Sequence, residues 1–341
     1  MKAILLAGGQ GTRLKAVTGD LPKPMVPLLG RPLLEHILRL LQRHGFTDVC
    51  AALKYRPEAI SSALGDGSQF GVRLQYRIEQ KDRGTAGAVK NCADFIGEDD
   101  VLIISGDAAC DLNLAELYRQ HRARGAAATL ALHRHAAPLS YGLTVTDRDG
   151  AIRAFVEKPP WGGVVTDLVN TGIYVLSPAV LDAIPADTAF DFGKDLFPLL
   201  LRQNKLLLGV PLEGYWCDVG SPLSYYQCCV DALEGKLQLE PGEAFAVQMH
   251  APEKNTQEDA AACVDFPCRD RAALMGQLSE WMLELPTDYS DGIRLSSPRF
   301  QLHISPLSET SALRIAVNAE DTEFARRLAF SARDLAKALE G

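Results

Sequence analysis

The apolar run Met1 to Ala7 is of strand length and ends abruptly in Gly8-Gly9-Gln10-Gly11-Thr12-Arg13-Leu14, and this junction constrains the chain more than any other feature. Glycines at 8, 9 and 11 let the backbone turn tightly and bring bare N–H groups against an anion. Arg13 follows at once, and Lys23 stands between Pro22 and Pro24, which restrict the backbone around the cation and lower the cost of ordering it. An ordinary glycine turn after a buried strand accounts for the glycines but not for the two cations. The element suits a polyphosphate. Two commoner glycine loops do not fit: a Walker loop needs Gly-Lys-Ser/Thr where Gly11 is followed by Thr12-Arg13, and the dinucleotide fingerprint needs a glycine at Leu14.

Downstream, apolar strand-like runs alternate with helix-like stretches, the pattern of a sheet covered by helices. Pro32 opens a helix whose Leu33, Leu34, Ile37, Leu38, Leu40 and Leu41 form an apolar face, and Gly45 closes it. Val49–Leu53, Val72–Ile78 and Val101–Ser105 read as strands, Thr85–Phe95 and Leu114–Arg124 as helices. Thr129–His133, Leu143–Thr146, Ile152–Val156 and Gly172–Leu176 add strands with too little between some of them for a helical crossover, so a mixed sheet is expected. From Glu234 the periodicity fades, and 236–262 reads as a linker between a first domain, 1–235, and a second, 263–341. In that second domain Arg269–Leu283 suggests a helix, Gly292–Leu295, Phe300–Ile304 and Leu313–Asn318 strands, and Thr322–Leu339 a closing amphipathic helix. The expected architecture is α/β: a Rossmann-like mixed sheet with helices on both faces, plus a small α+β domain.

A length of 341 residues favours one large and one small domain, and 47% hydrophobic with 23% charged content is that of a folded globular protein. With 35 Lys and Arg against 43 Asp and Glu, the formal charge of −8 disfavours a nucleic-acid partner. The apolar start breaks at Gly8-Gly9, too early for a signal peptide, and no run is long enough to cross a bilayer, so no membrane association and a cytoplasmic location are expected. The eight cysteines lack Cys-x-x-Cys spacing and read as reduced thiols. His133 and His135 flank Arg134 as a polar strand face rather than a metal pair, and Trp161 suits a sugar-site wall or a covered hydrophobic edge equally.

Gly-Gly-x-Gly-Thr-Arg-Leu followed by Pro-Lys-Pro-Met resembles the opening of the sugar-1-phosphate nucleotidyltransferases. The likeness continues in order through Gly84-Thr85-Ala86-Gly87, Gly106-Asp107, Tyr141-Gly142, Glu157-Lys158-Pro159, Val169-Asn170-Thr171-Gly172 and Gly214-Tyr215-Trp216-Cys217-Asp218-Val219-Gly220. Phe190-Asp191-Phe192-Gly193-Lys194-Asp195-Leu196-Phe197-Pro198 is especially similar to the mannose-1-phosphate guanylyltransferase branch, including bacterial forms fused to a phosphomannomutase-like segment.

The resemblance implies the nucleotide-diphospho-sugar transferase fold and a reaction in which a sugar-phosphate oxygen attacks the α-phosphorus of a triphosphate and expels pyrophosphate. The attacker is already an anion, so the work is positioning and charge stabilisation rather than general base catalysis. It implies one Mg2+ shared by Asp107 and Asp218, each at an expected strand end. Arg13 would stabilise the β and γ phosphates, and Lys23 the α-phosphate or the departing pyrophosphate. Leu6, Ala7, Gly8, Gly9, Gly11, Thr12, Glu79, Gly84, Thr85 and Ala86 would contact the nucleotide. Lys158 would partner the sugar's phosphate, with Glu157, Asn170 and the Gly142 backbone on the sugar. Glu79 stands where the family places the residue facing the base, and a carboxylate accepts both N1–H and N2–H of guanine. The same residue reads equally as an exposed loop acid. The expected substrates are GTP and mannose 1-phosphate, with UTP or dTTP and glucose 1-phosphate as the enzymatic alternative and a non-catalytic sugar-nucleotide sensor as the alternative from another class.

The order of elements after 263, with Asp291-Gly292-Ile293-Arg294 and Ser305-Pro306-Leu307-Ser308-Glu309-Thr310, resembles the C-terminal domain of phosphohexomutases. Ser305 stands where that family's phosphate loop opens with arginine, and neither a Gly-Thr-Glu-Pro run nor a mutase serine loop is present in the sequence. A docking, dimerising or regulatory part is expected here, with homo-oligomerisation left open.

Overall fold

The apolar start becomes β1 (Lys2–Leu6), with Ala3, Ile4 and Leu5 buried inside a nine-stranded sheet. The computed structural model describes residues 1–14, 18, 21–135, 138, 141–157, 166–186, 188–239, 262–267, 278, 287–288, 293–297, 300–306, 312–319 and 322–340. Packing divides the chain into two units, Met1–Gln10 with Leu34–Asp218, and Gly11–Leu33 with Val219–Gly341.

In the first unit β1 is followed by α1 (Leu33–Arg43), β2 (Asp48–Leu53), α2 (Pro57–Leu64), β3 (Arg73–Ile78), α3 (Gly84–Lys90), α4 (Ala93–Ile96), β4 (Val101–Ser105), β5 (Ala108–Cys110) and α5 (Leu114–Arg124). Then come β6 (Ala128–Arg134), β7 (Gly142–Thr146), β8 (Ile152–Glu157), β9 (Leu168–Leu176), α6 (Phe197–Arg202), β10 (Leu207–Pro211) and β11 (Trp216–Asp218). The strand order is β8-β7-β9-β4-β1-β2-β3, with β6 paired to both β9 and β10. Pairing is parallel from β4 through β1 and β2 to β3, and antiparallel where β9 meets β4, β6 and β7. The sheet is therefore mixed, as the short connections before β9 require. Ile4, Ile103, Leu130 and Leu132 pack with Val89, Leu196 and Phe197 in one core, and the apolar face expected of α1 is buried throughout. Parallel registry sets Leu6 beside Ala52 and Ser105, so the segments leaving β1, β2 and β4 emerge on one edge, the carboxyl edge where open sheets of this kind bind ligands.

In the second unit, Pro27–Leu28 pairs with Arg31–Pro32, and α7 (Pro222–Leu233) starts at a capping box in which Ser221 and Ser224 bond reciprocally. The buried Tyr225 of α7 donates its hydroxyl to Pro27 O at 2.6 Å. β12 (Ala262–Pro267), β13 (Thr287–Asp288), β14 (Ile293–Ser297), β15 (Phe300–Pro306) and β16 (Ala312–Ala319) form an antiparallel sheet of order β12-β16-β15-β14-β13. α8 (Thr322–Glu340) packs against β16 and β12 and also against α7.

Several expectations change. The helix expected at Thr85–Phe95 is two short helices, α3 and α4, separated at Asn91-Cys92, where Cys92 N turns back to Val89 O. β9 starts at Leu168 rather than Gly172, because its pairing with β6 lapses between Asn170 and Tyr174 and resumes past Gly172, whose φ of +76° suits only glycine. Helices α2 and α7 and strand β10 carry too weak a periodicity to be predicted, and β12 begins at Ala262, inside the linker expected over 236–262. Seven cysteines are described, none in a disulfide. Lys158, Trp161, Cys268, residues 240–261 of the expected linker, all but Leu278 of the expected helix 269–283, and 307–310 of the mutase-like loop lie outside the described residues.

Candidate functional site

β4 delivers Asp107 to the carboxyl edge through Gly106, whose N–H donates to Leu6 O at 2.8 Å. A Cβ on Gly106 would stand 2.9 Å from that same carbonyl, so the turn tolerates no side chain. Immediately after Asp107, β5 pairs antiparallel with β11, setting Ala108 opposite Asp218. Both carboxylates line one cavity of about 260 Å³ together with Gly142, Asn170, Tyr141 and Trp216. Asp107 Oδ1 accepts from Ser105 Oγ at 2.5 Å, so one oxygen is held by the strand that carries it. Of the sequence-read site residues, four therefore converge on this cavity: Asp107, Asp218, Gly142 and Asn170.

Asn170 Oδ1 accepts from Gly172 N at 3.1 Å inside the irregular stretch of β9, which leaves its NH2 end as the donor. Trp216 is anchored by its indole N–H on Thr171 O at 3.0 Å and meets the Tyr141 ring edge-on at 5.4 Å. His135 lies 4.7 Å from Tyr141 and His133 6.0 Å from Trp216, so the alternating histidines back an aromatic wall. Burial, with Cys217 and Asp218 nearby, pushes the Tyr141 phenol up and keeps it a neutral hydroxyl. Burial pushes His133 down, with His135 adding to the effect. Tyr141 and Trp216 stood inside blocks quoted for their neighbours and received no role from the sequence; an aromatic beside each pocket residue was the available signal.

On the same edge, Leu6 closes β1, and Ala7 N continues its ladder to Ala52 O at 3.0 Å before the chain turns at Gly8 and Gly9. A Cβ on Gly8 would stand 3.3 Å from Lys54 Cβ and 3.7 Å from Glu79 Oε2, whereas one on Gly9 would meet nothing within 4 Å. Glu79 follows β3, is half-buried, and has Oε1 buried without a hydrogen-bond partner among the described residues. Burial raises its carboxyl above the usual range, Asp82 adds to the rise, and Lys54 opposes it. Lys54 itself pairs with Asp82 at 2.7 Å, and Asp82 also accepts from Gly84 N at 3.1 Å. Thr85 and Ala86 open α3 with their backbone N–H groups bonded to Asp191 and Phe190.

Gly11, Thr12, Arg13 and Lys23 belong to the second unit. Gly11 has φ +67°, and a Cβ there would collide with the Lys23 side chain, so this glycine is what lets the lysine lie against the turn. Lys23 is 8% exposed in a one-turn helix, Lys23–Met25, whereas Arg13 is exposed in Thr12–Leu14. Glu157 ends β8, and nothing is described of its side chain.

A model of the family described as nucleotidyl transferase matches residues 2–235. The UTP–glucose-1-phosphate uridylyltransferase of Synechocystis sp. is 37% identical over 253 residues, 70% of this chain and 64% of that one. The mannose-1-phosphate guanyltransferase of Debaryomyces hansenii is 37% identical over 246 residues, 71% of this chain and 67% of that one. The chain thus spans about two-thirds of the length of these curated relatives. Among solved structures, a glucose-1-phosphate thymidylyltransferase from Bacillus anthracis superposes with TM-score 0.62 at 26% identity, covering 68% of this chain and 95% of that one. HddC from Yersinia pseudotuberculosis complexed with GMP-PN does so with TM-score 0.59 at 28% identity, covering 67% and 97%.

Proposed function

Because the chain belongs to the nucleotidyl transferase family, we propose that it transfers a nucleotidyl group from a nucleoside triphosphate to a sugar 1-phosphate and releases pyrophosphate. GTP and mannose 1-phosphate are the substrates proposed. The observation that carries the reading is the convergence of Asp107 and Asp218 on one cavity, beside Asn170 and an aromatic wall suited to a sugar ring. The donor set fits Mg2+: two hard carboxylate oxygen donors, Asp107 just before β5 and Asp218 at the end of β11, line one cavity, and water with triphosphate oxygens would complete the octahedron. When bound, the ion would neutralise charge on the triphosphate.

The chain's own groups do the positioning. Gly8 and Gly9 leave room for the nucleotide along β1, Asn170 donates to a sugar hydroxyl, and Tyr141 and Trp216 exclude water from the sugar's face. Arg13 and Lys23 are proposed as the cations that offset charge on the triphosphate and the departing pyrophosphate, and Glu157 and Lys158 as partners of the sugar and its phosphate. No helix among the described residues is long and apolar enough to cross a membrane. Pyrophosphate release across GTP, UTP, dTTP and ATP, each with mannose 1-phosphate and glucose 1-phosphate, tests the reading. The GTP–mannose 1-phosphate pair should be fastest. A faster UTP–glucose 1-phosphate pair, the second reading supported by the Synechocystis relative, would overturn the substrate choice. Tight binding of a sugar nucleotide without turnover of any pair would favour the sensor.

Glu79 carries the base choice. Its buried Oε1 has no hydrogen-bond partner among the described residues, and guanine N1–H and N2–H would supply two donors to the carboxylate. Glu79→Gln should narrow the preference for GTP over ITP, which lacks the 2-amino group, by about tenfold, the worth of one hydrogen bond to a charged acceptor. The GTP KM of the parent protein should rise as pH falls through the weakly acidic range, because the raised pKa protonates Glu79 earlier than an ordinary carboxylate; the Gln variant should be flat there. The linkage has the opposite sign for the free protein. A folded pKa above the unfolded one adds stability below the unfolded pKa that is lost as pH rises through the folded value, so the Gln variant should unfold at a higher temperature than the parent at neutral pH. An unchanged GTP to ITP ratio would remove Glu79 from base recognition.

A further inference from the structure

Phe190–Asp195, singled out in the sequence, takes no part in the chemistry above, yet it holds the turn that opens α3 at almost every donor. Phe190 N donates to Arg83 O at 2.8 Å, and Phe190 O accepts from Ala86 N at 2.9 Å and Gly87 N at 3.1 Å. Asp191 Oδ1 accepts from both Thr85 N, at 3.1 Å, and Thr85 Oγ1, at 3.0 Å; Phe192 N returns a bond to Thr85 Oγ1 at 3.1 Å. The clamp is itself fixed from behind. Asp195 Oδ2 accepts from Asp191 N at 2.8 Å, and Phe192–Leu196 forms a single π-helical turn that buries Phe192 against Tyr174 and Phe197, with ring centroids at 5.0 and 5.4 Å. Tyr174 lines the cavity of Asp107 and Asp218.

The backbone N–H groups at Thr85, Ala86 and Gly87 are all taken by protein oxygens, so this helix start has none of those three to offer a phosphate. A carboxylate already occupies it, and a second anion there would be repelled. The turn is then suited to the uncharged base or ribose rather than to a phosphate, and its shape is set from Phe190 and Asp191.

We propose that Asp191 is a positioning residue for the nucleoside triphosphate: by bonding Thr85 twice it holds Gly84-Thr85-Ala86 in the conformation that receives the nucleoside. This rests on the nucleotidyltransferase reading and on contact of Gly84–Ala86 with the nucleotide. The residue acts through Thr85 and touches no reacting atom.

The test uses the full-length protein, with KM for GTP and for mannose 1-phosphate, equilibrium binding of GTP and the unfolding midpoint measured for Asp191→Ala, Asp191→Asn, Thr85→Val and the Asp191→Ala/Thr85→Val pair. Asp191→Ala should raise the GTP KM about tenfold while the mannose 1-phosphate KM moves less than about twofold. Asp191→Asn keeps an Oδ1 acceptor for both Thr85 donors and should recover most of that loss. The double variant should be weaker than the product of the two single effects, because both remove the same contact. A general structural defect would instead lower the midpoint and raise both KM values together. The proposal is overturned if Asp191→Ala leaves GTP binding within about twofold of the parent, if both KM values rise equally, or if Asn fails to rescue. A parent protein that neither binds nor turns over any nucleoside triphosphate would overturn the functional reading, and this proposal with it.

Discussion

Asp107→Ala should lower kcat/KM by about a thousandfold or more, close to 4 kcal/mol of transition-state stabilisation, while the unfolding midpoint stays near that of the parent. Asp107 lies past the end of β4 in a cavity, and its described side-chain bond is to Ser105, so its removal empties no core. The chemistry asks the protein to bring a sugar phosphate and a triphosphate together, and Asp107 and Asp218, brought to one cavity by the pairing of β5 with β11, are proposed to hold the divalent ion that makes this tolerable. Asp218→Ala should cost a similar factor. The double variant should cost little more than either alone, since the two carboxylates are proposed to act as one site that the loss of either ligand disables. Steady-state kinetics with saturating Mg2+, alongside circular dichroism of each variant, checks this. Near-parental turnover in Asp107→Ala would remove the carboxylate from the reaction.

Gly84→Ala should be a strongly damaging substitution to the fold near the site. Gly84 sits at φ +67°, which an alanine adopts only with strain, and its new Cβ would stand 2.7 Å from Phe190 O and 2.8 Å from Phe190 N. Those are backbone atoms of the clamp and cannot swing aside. Strain and collision together should cost about 3 kcal/mol, and the midpoint of thermal unfolding should drop by roughly 6–12 °C. GTP binding should weaken in parallel, because the same displacement separates Phe190 from Ala86 and Gly87. Thermal unfolding and GTP binding of the variant measure both effects. A midpoint within a degree of the parent would show that the turn yields, and that its conformation matters less than its contacts suggest.

Much of the architecture was legible along the chain because its signals are local. The apolar run before Gly8, the leucines of α1 and the run that became β4 each report burial through their own neighbours, and Ala3–Leu5, those leucines and Val101–Ile104 are buried. The mixed sheet followed from connection length alone. The turn that opens α3, the early start of β9 and the strand β12 were not legible, since each depends on a partner distant in sequence: Phe190 for α3, β6 for β9, β16 for β12. Asp107 and Asp218 could be named from short blocks, but no spacing rule says that strands carrying residues 108 and 218 pair. Asp191, Tyr141 and Trp216 stood in quoted blocks without roles for the same reason.

What the amino-acid order determined by itself was the inventory: an anion-suited glycine turn after a strand, two cations, separated carboxylates, and an alternation that permits a covered sheet. Those properties reside in a few consecutive residues, so they survive without knowledge of the rest. Only the tertiary structure decided which of them share a space, since pairing of β5 with β11 and the clamp from Phe190 are long-range contacts whose free energy exists only once the chain has closed on itself.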